Sequence, residues 1–447
     1  MKWWVGLLAL LLVALFAAVG TLYVRAFVVH RAHGVILIVA NGLDLSLLNK
    51  ARQQAAARGQ PMNIDTLDQL CMLNVEGLGQ PVPDEAAAST ALACGQRVRN
   101  GLVGMTAEGM RLNSLIYAAQ RAGRATGLVT TRELTSPTPL AFYGRSRGEP
   151  GVEQRSAAEL IDSSGIDVIL GGGARHFTPA NVLNEGGRTD GRDLAAEAAN
   201  GGFTVVRSAA DLNRVPSWRT GHRMTPSLFG RFLGRNTFAP SLLGLFAPEE
   251  FTFSALRQGA STEPSLSDMT RMAVKCLQYN PGGYFLVIEH GLIEDAARRN
   301  WTDLALGEVA ALDAAIGTAR AYAGDGSLVV VTSNFSLGAL DTTYEATGTE
   351  SPSAPPGAVP VAAAYEWLAG PGGAPRTADD KAWLQAETAQ GAFAPSGPLH
   401  PAPAARFSRR AGVTSAPAWL GAGGYNADRF GGFLSNDQVF GVIQGLF

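Results

Sequence analysis

Five short runs rich in Val, Ile and Leu, without polar alternation, constrain the fold of this chain more than any other feature. They are Val35 to Ala40, Thr126 to Thr130, Ile166 to Leu170, Tyr284 to Ile288 and Leu328 to Thr332. A strand with one wet face alternates apolar and polar residues, whereas a strand covered on both faces does not. Helical patterns lie between the runs, at Gly109 to Ala122, Leu266 to Leu277 and Leu304 to Tyr322. Strand and helix taking turns predict an α/β fold with a doubly wound, mostly parallel central sheet flanked by helices. In such sheets the site lies beyond the carboxyl ends of the strands. The residues expected there are Asn41, Thr131 to Thr138, Gly171 to Gly173, Glu289 with His290, and Asn334 with Phe335.

Hydrophobic content of 46% with 17% charged residues suits a large core and argues against wholesale disorder. A net charge of −2 gives no bulk attraction for nucleic acid. Cys71, Cys94 and Cys276 are too few and too scattered for a disulfide framework or a thiolate metal site; buried apolar thiols are the plain reading. After Met1 and Lys2, Trp3 to Val24 is an uncharged apolar run, long enough to span a bilayer as a helix and longer than the apolar part of a usual signal peptide. An uncleaved anchor is therefore expected over residues 1–33, with one folded domain over 34–447. Two stretches break the rhythm of that domain. Pro216 to Pro240 is basic with Trp218, Phe229 and Phe232 interleaved, and reads as an insertion; Ser351 to Pro417, rich in Ala, Pro and Gly, reads as an irregular excursion around one helix, Lys381 to Thr388.

Pro83-Asp84-Glu85-Ala86-Ala87-Ala88-Ser89-Thr90-Ala91-Leu92-Ala93-Cys94-Gly95 resembles the nucleophile segment of alkaline phosphatases, D-S-A-A/G-x-A-T-A-x-x-x-G. GVILIVANG resembles that family's first strand and its D-G-M turn, and ATGLVTTRELTSPTPLAFY matches G-L-V-T-T-T-R-x-T-H-A-T-P-A-A-F-Y without a gap. IDVILGGGARHF, LLGLFAPEEF, PSLSDMTRMA, YFLVIEHGLIEDAA, LALGEVAALDAAI and SLVVVTSNFSLG follow in the family's order. The resemblance implies an extracytoplasmic hydrolase frame whose active members carry two zinc ions and usually magnesium.

The same resemblance implies that the chemistry has been lost. The family's nucleophilic Ser is Glu85, which cannot form a phosphoserine ester. Its first metal-binding Asp is Asn41, and the His or Asp of T-H-A-T-P is Ser136. Thr138 and Glu289 match magnesium positions and remain as a weak residual pair. The Asp and His of one zinc site fall on Glu294 and Arg298, and the D-H pair of the other on Asn334 and Phe335. The last zinc His belongs near Ala411, and the nearest His is His400. Phe binds no hard or borderline cation, and Arg298 puts a fixed positive charge where zinc would sit. Six His in the chain, none paired at helical or strand spacing, agree with an absent zinc site; His290 reads as a hydrogen-bonded structural residue.

Asp84 is expected to cap the helix that starts at Glu85, and Glu85 is then either an ordinary first-turn acid or one half of an ion pair with Arg298 replacing the phosphoserine–zinc contact. Arg145 or Arg147 stands near the family's phosphate-gripping Arg. Three functions compete. One is a catalytically inactive, membrane-anchored accessory or scaffold subunit of a membrane complex, with a homodimer among its assemblies. The others are an active hydrolase with a rebuilt site and an anion-binding module around Arg298 and the helix start at Glu85.

Overall fold

All seven residues of β1 (Gly34–Ala40) are buried, and the strand sits at the middle of a ten-stranded sheet. On one side it pairs in parallel with β7 (Tyr284–His290), which pairs in parallel with β3 (Ala125–Glu133), as does β3 with β4 (Val168–Gly172). β6 (Leu242–Leu245) and β5 (Thr204–Val206) complete that wing, also parallel. On the other side come β8 (Leu328–Thr332), parallel, and β9 (Ala418–Gly424), antiparallel to β8 and to β2 (Gln69–Asn74); β10 (Phe433–Ser435) closes the edge beside β2. The doubly wound sheet expected from the five apolar runs is present. The computed structural model describes residues 2–23, 32–180, 187–216, 241–257, 261–299, 301–337, 340–341, 406–407, 413–414 and 417–447. Most of the insertion at 216–240 and of the excursion at 351–417, with its helix at 381–388, His400 and Ala411, lie outside these residues.

Helices cover both faces. One face packs α2 (Leu45–Ala57), α9 (Leu266–Leu277), α10 (Leu292–Arg298) and α11 (Thr302–Ala323) around Ile36, Ile38, Val129, Leu286 and Ile288. The opposite face packs α3 (Glu85–Cys94), α4 (Leu115–Arg121), α6 (Val152–Asp162) and α12 (Asn436–Gln444) around Val35, Leu37, Leu128 and Val287. Successive residues of one strand thus feed different cores, which is why the runs are apolar throughout. The short helices α5 (Pro137–Ala141), α7 (Leu194–Asn200) and α8 (Ala209–Arg214) finish the connections.

The helix expected over Gly109 to Ala122 begins later. Residues 105–111 form a small hairpin, with Met105 bridged to Arg111 and the Thr106 amide donating to the Met110 carbonyl, and Ser114 caps the helix proper through the Tyr117 amide. At the N-terminus α1 (Lys2–Tyr23) carries exposed apolar side chains from Trp3 to Val19. Among the described residues no helix is long and apolar enough to cross a membrane. The expected span, Trp3 to Val24, includes Val5 and Ala18, whose side chains lie outside the described set, and ends at Val24, which is also outside it. A membrane-spanning helix is therefore not part of the described fold.

Candidate functional site: a carboxylate–arginine cluster at the strand ends

The carboxyl ends of β1, β3, β7 and β8 converge with the start of α3, and the expected residues meet there. Asp84 caps α3 as the sequence implies: its side chain accepts from the Ala87 amide at 2.8 Å and from the Gly101 amide at 2.6 Å, and so faces away from the cluster. Gly95 ends the helix in the left-handed conformation (φ 67°), and a Cβ there would lie 2.3 Å from the Phe440 ring. These two stops fix where Glu85 points.

Glu85 points at Arg132. The Arg132 Nη1 donates to both Glu85 oxygens, at 3.2 and 3.1 Å, while Glu85 Oε1 also accepts from Thr138 Oγ1 at 2.8 Å, the Thr138 amide at 3.3 Å and Asn41 Nδ2 at 3.2 Å. Asn41 is fully buried, and its Nδ2 faces Glu289 Oε1 at 2.8 Å and Thr138 Oγ1 at 3.1 Å as well. Two amide protons serve three acceptors, so the group is shared among them. Thr138 Oγ1 pairs with Ser89 Oγ at 2.8 Å, and Asn334 Nδ2 donates to the same Ser89 Oγ at 3.0 Å. Asn334 Oδ1 is buried without a partner.

The pairing of Glu85 with Arg298 is not formed. Arg298 turns back one helical turn to Glu294, with Nη2 at 2.6 Å, and stays 41% exposed. Arg132 takes its place because the pairing of β3 with β4 breaks register between Val129 and Glu133, and such an irregularity re-aims side chains at a strand end. Thr130 then donates to Glu289 Oε2, and Thr131 meets His290 Nδ1 at 3.0 Å. Arg132 reaches Glu85, Glu294 Oε2 at 3.5 Å and, through Nε, Asp295 Oδ2 at 3.5 Å. Gly291 makes the room: a Cβ there would lie 2.0 Å from Arg132 Cδ.

The electrostatics follow from burial. Glu289 is fully buried and burial pushes its carboxyl up to about 8, against the opposing pull of Arg132. Burial raises Glu294 and Asp295 too. For Arg132 burial works downward, but Asp295, Glu85 and Glu294 outweigh it and hold the guanidinium well above its ordinary value.

Other expected residues lie apart. His290, next to Glu289 on β7, points to the other side of the strand, where Nε2 meets the Glu308 carbonyl at 3.0 Å and Glu308 Oε2 at 3.1 Å, both side chains fully buried. It is the structural histidine that the sequence suggests. Phe335 is a buried core side chain. Ser136 stands at the N-cap of α5 and makes no side-chain cap bond. Arg145 and Arg147 are exposed; the Arg147 amide donates to Glu149 at 2.6 Å and its guanidinium lies against Gly109.

A family model for alkaline phosphatase matches residues 32–358. This chain belongs to the alkaline phosphatase family. Its sequence is 29% identical over 345 residues to the tissue-nonspecific isozyme of Gallus gallus, covering 68% of this chain and 64% of that enzyme. It is 28% identical over 349 residues to the repressible alkaline phosphatase of Saccharomyces cerevisiae, covering 71% of this chain and 57% of that one. The match thus spans less than two thirds of either relative's own length. Among solved structures, Thermus thermophilus alkaline phosphatase superposes with a TM-score of 0.68 at 24% identity, over 94% of this chain and 91% of that one. The enzyme of the Antarctic bacterium TAB5 does so with a TM-score of 0.63 at 19% identity, over 93% and 98%. These last two likenesses concern the fold.

The zinc ions of the family do not fit the side chains at these strand ends. Asn41, Arg298, Asn334 and Phe335 offer a carboxamide, a guanidinium and a phenyl ring where zinc takes imidazole, thiolate or carboxylate, and the carboxyls that remain close on Arg132. Among the described residues no group of three or more His, Cys, Asp or Glu is disposed to hold a metal ion. Arg132 and Asp295 were not singled out in the sequence. The signal for Arg132 was there: in the family string G-L-V-T-T-T-R, its third Thr is Arg132 and its Arg is Glu133.

Proposed function

We propose that this chain is a membrane-anchored, extracytoplasmic member of the alkaline phosphatase family without phosphatase activity, working as an accessory or scaffold subunit of a membrane complex. The observation that carries the reading is Glu85 at the nucleophile position, with donors on both oxygens. A nucleophile needs a free lone pair aimed at phosphorus, and a phosphoryl transfer site needs positive charge around the phosphoryl oxygens. Here the Arg132 guanidinium is turned onto Glu85, Glu294 and Asp295 instead. The charge that would grip a substrate is consumed inside the chain. No zinc is expected, and magnesium at Thr138 and Glu289 is expected to be weak, since Asn41 already bonds both.

The exposed apolar side chains of α1 support an anchor, because such a surface has no stable place in water. A folded frame held at a membrane without chemistry acts through what its surface touches. The aromatic and basic insertion at Pro216 to Pro240 ranks first for a protein partner, since aromatic and Arg side chains dominate interface hot spots; a second copy of the chain is the other partner considered. Purification in mild detergent, with a phosphomonoester assay and elemental analysis, tests the reading. Two zinc ions per chain, or turnover abolished by Glu85→Ala, would overturn the inactive reading. A lone monomer with no partner would overturn the subunit role.

A further inference from the structure

We propose that the amino end of the sheet is a lipid-contacting face, seated on the headgroups of the bilayer that holds α1, with the strand-end cluster turned away from the membrane. This rests on the reading of α1 as an anchor. It goes further in naming the surface that meets the membrane and the side chains that hold it there.

The point where the chain enters the domain carries the argument. α1 ends at Tyr23, and the chain is fixed again at the buried Ala32 and at His33, so residues 24–31 alone join anchor and domain. Fully extended, such a tether spans at most about 30 Å. His33 is held by the turns at the amino ends of the neighbouring strands. Its amide donates to the Gly326 carbonyl at 2.8 Å, and its ring Nε2 meets the Gln278 carbonyl at 2.8 Å. Its own carbonyl accepts from the Tyr284 amide at 2.8 Å and from Arg124 Nη1 at 3.2 Å. The tether therefore leaves from the middle of this face. To lay the strand ends on the bilayer it would have to cross a helix layer about 10 Å thick and then run the length of β1, about 23 Å, which is beyond its reach.

Two exposed tyrosines flank the entry point. Tyr279, 57% exposed, follows Gln278 at the end of α9, and Tyr322, 39% exposed, stands in the last turn of α11, just before the Gly326 turn. Lys275 Nζ lies 5.2 Å from the centre of the Tyr322 ring. On the other face of the sheet the exposed Arg121 ends α4 beside the same turns. Tyr and Lys settle at headgroup level, with the apolar body inward and the polar tip in the wet layer, so this face has contacts of its own to add to the tether.

The test uses the full chain in phosphatidylcholine nanodiscs that contain a nitroxide-headgroup lipid as quencher. A fluorophore is placed on one added cysteine, either Asp325→Cys on the turn beside His33 or Met110→Cys on the hairpin tied through Val103 and Ser146 to the loop beyond α5. Both positions are exposed, whereas Cys71, Cys94 and Cys276 are buried and escape the label. Emission from residue 325 should lose most of its intensity and emission from residue 110 almost none. A flexible Gly-Ser insertion after Arg25 that doubles the tether should leave the loss at 325 largely intact, and adding Tyr279→Ser and Tyr322→Ser to that longer chain should abolish most of it. Quenching at 110 in place of 325, at both equally or at neither overturns the orientation. Loss of the 325 signal on lengthening the tether, or quenching indifferent to both tyrosines, overturns the contact. A full chain that does not enter the discs overturns the anchor reading beneath the proposal, whereas one that enters and is quenched at the wrong end overturns only this inference.

Discussion

Replacing Glu289 by Gln should make this protein more stable at high pH, although it removes an acid from the heart of the site. Glu289 is fully buried, and its carboxyl moves from 4.5 to about 8. The folded state therefore holds a proton that the unfolded chain releases over most of that interval, so this group's contribution to stability is full below about 4.5 and is lost as pH rises through about 8. At roughly 1.4 kcal/mol per pH unit, linkage puts the loss at no more than about 5 kcal/mol. Gln is the neutral isostere: its oxygen can accept from Asn41 and its amide can donate to Thr130 Oγ1, in place of the contacts Glu289 makes. Urea denaturation of both proteins at a series of pH values from about 4.5 to 9 measures the difference. Glu289→Gln should match the unaltered chain near pH 4.5, exceed it increasingly from there to about pH 8, and keep a constant lead above that. A difference independent of pH, or one that favours Glu289 at pH 9, would refute the assignment of a protonated carboxyl between Asn41 and Thr130.

The pairing in the cluster is checked by contrast: Glu85→Ala strips Arg132 of its closest carboxylate and should cost about 3 kcal/mol, whereas Arg298→Ala, at a 41% exposed side chain, should cost no more than about 1 kcal/mol in the same denaturation assay. Glu85→Ser restores the family's nucleophile but no metal, so it should remain inactive in a phosphomonoester assay, and measurable turnover would point to a surviving metal site. Elemental analysis should find no stoichiometric zinc, and chelator should leave the melting curve unmoved. The full chain should sediment with membranes, and deleting residues 1–33 should release a folded domain; a full chain found in the soluble fraction would count against the anchor.

The strands were legible because both their faces are buried: Val35 to Ala40 became Gly34–Ala40, and Leu328 to Thr332 was recovered as it stands. The helical pattern at Leu266 to Leu277 is likewise a helix with the same bounds, and in the structure Ser265 and Asp268 cap it. β2, β9 and β10 were harder. β9 reads AWLGAGG, whose glycines hide a strand that Leu67 packs against, and β2 exposes Leu70. In the site, position along the family's motifs located Asn41, Glu85, Thr138 and Glu289 in one pocket. It could not show which arginine would reach Glu85, since that depends on the register break after Val129 and on the missing Cβ of Gly291. The register break has no signature in residue type, and a glycine at 291 does not by itself say that its open side faces Arg132.

Asp84, one residue before the altered nucleophile position, has a consequence of its own. It starts α3 and, through the Gly101 amide, stitches the helix to the following loop, so folding instructions and reactive group occupy adjacent but separate residues. Residue 85 could be exchanged without the helix losing its origin. Because the helix start does not depend on residue 85, the same separation leaves position 85 open to an engineer who wishes to install a different reactive group on this frame.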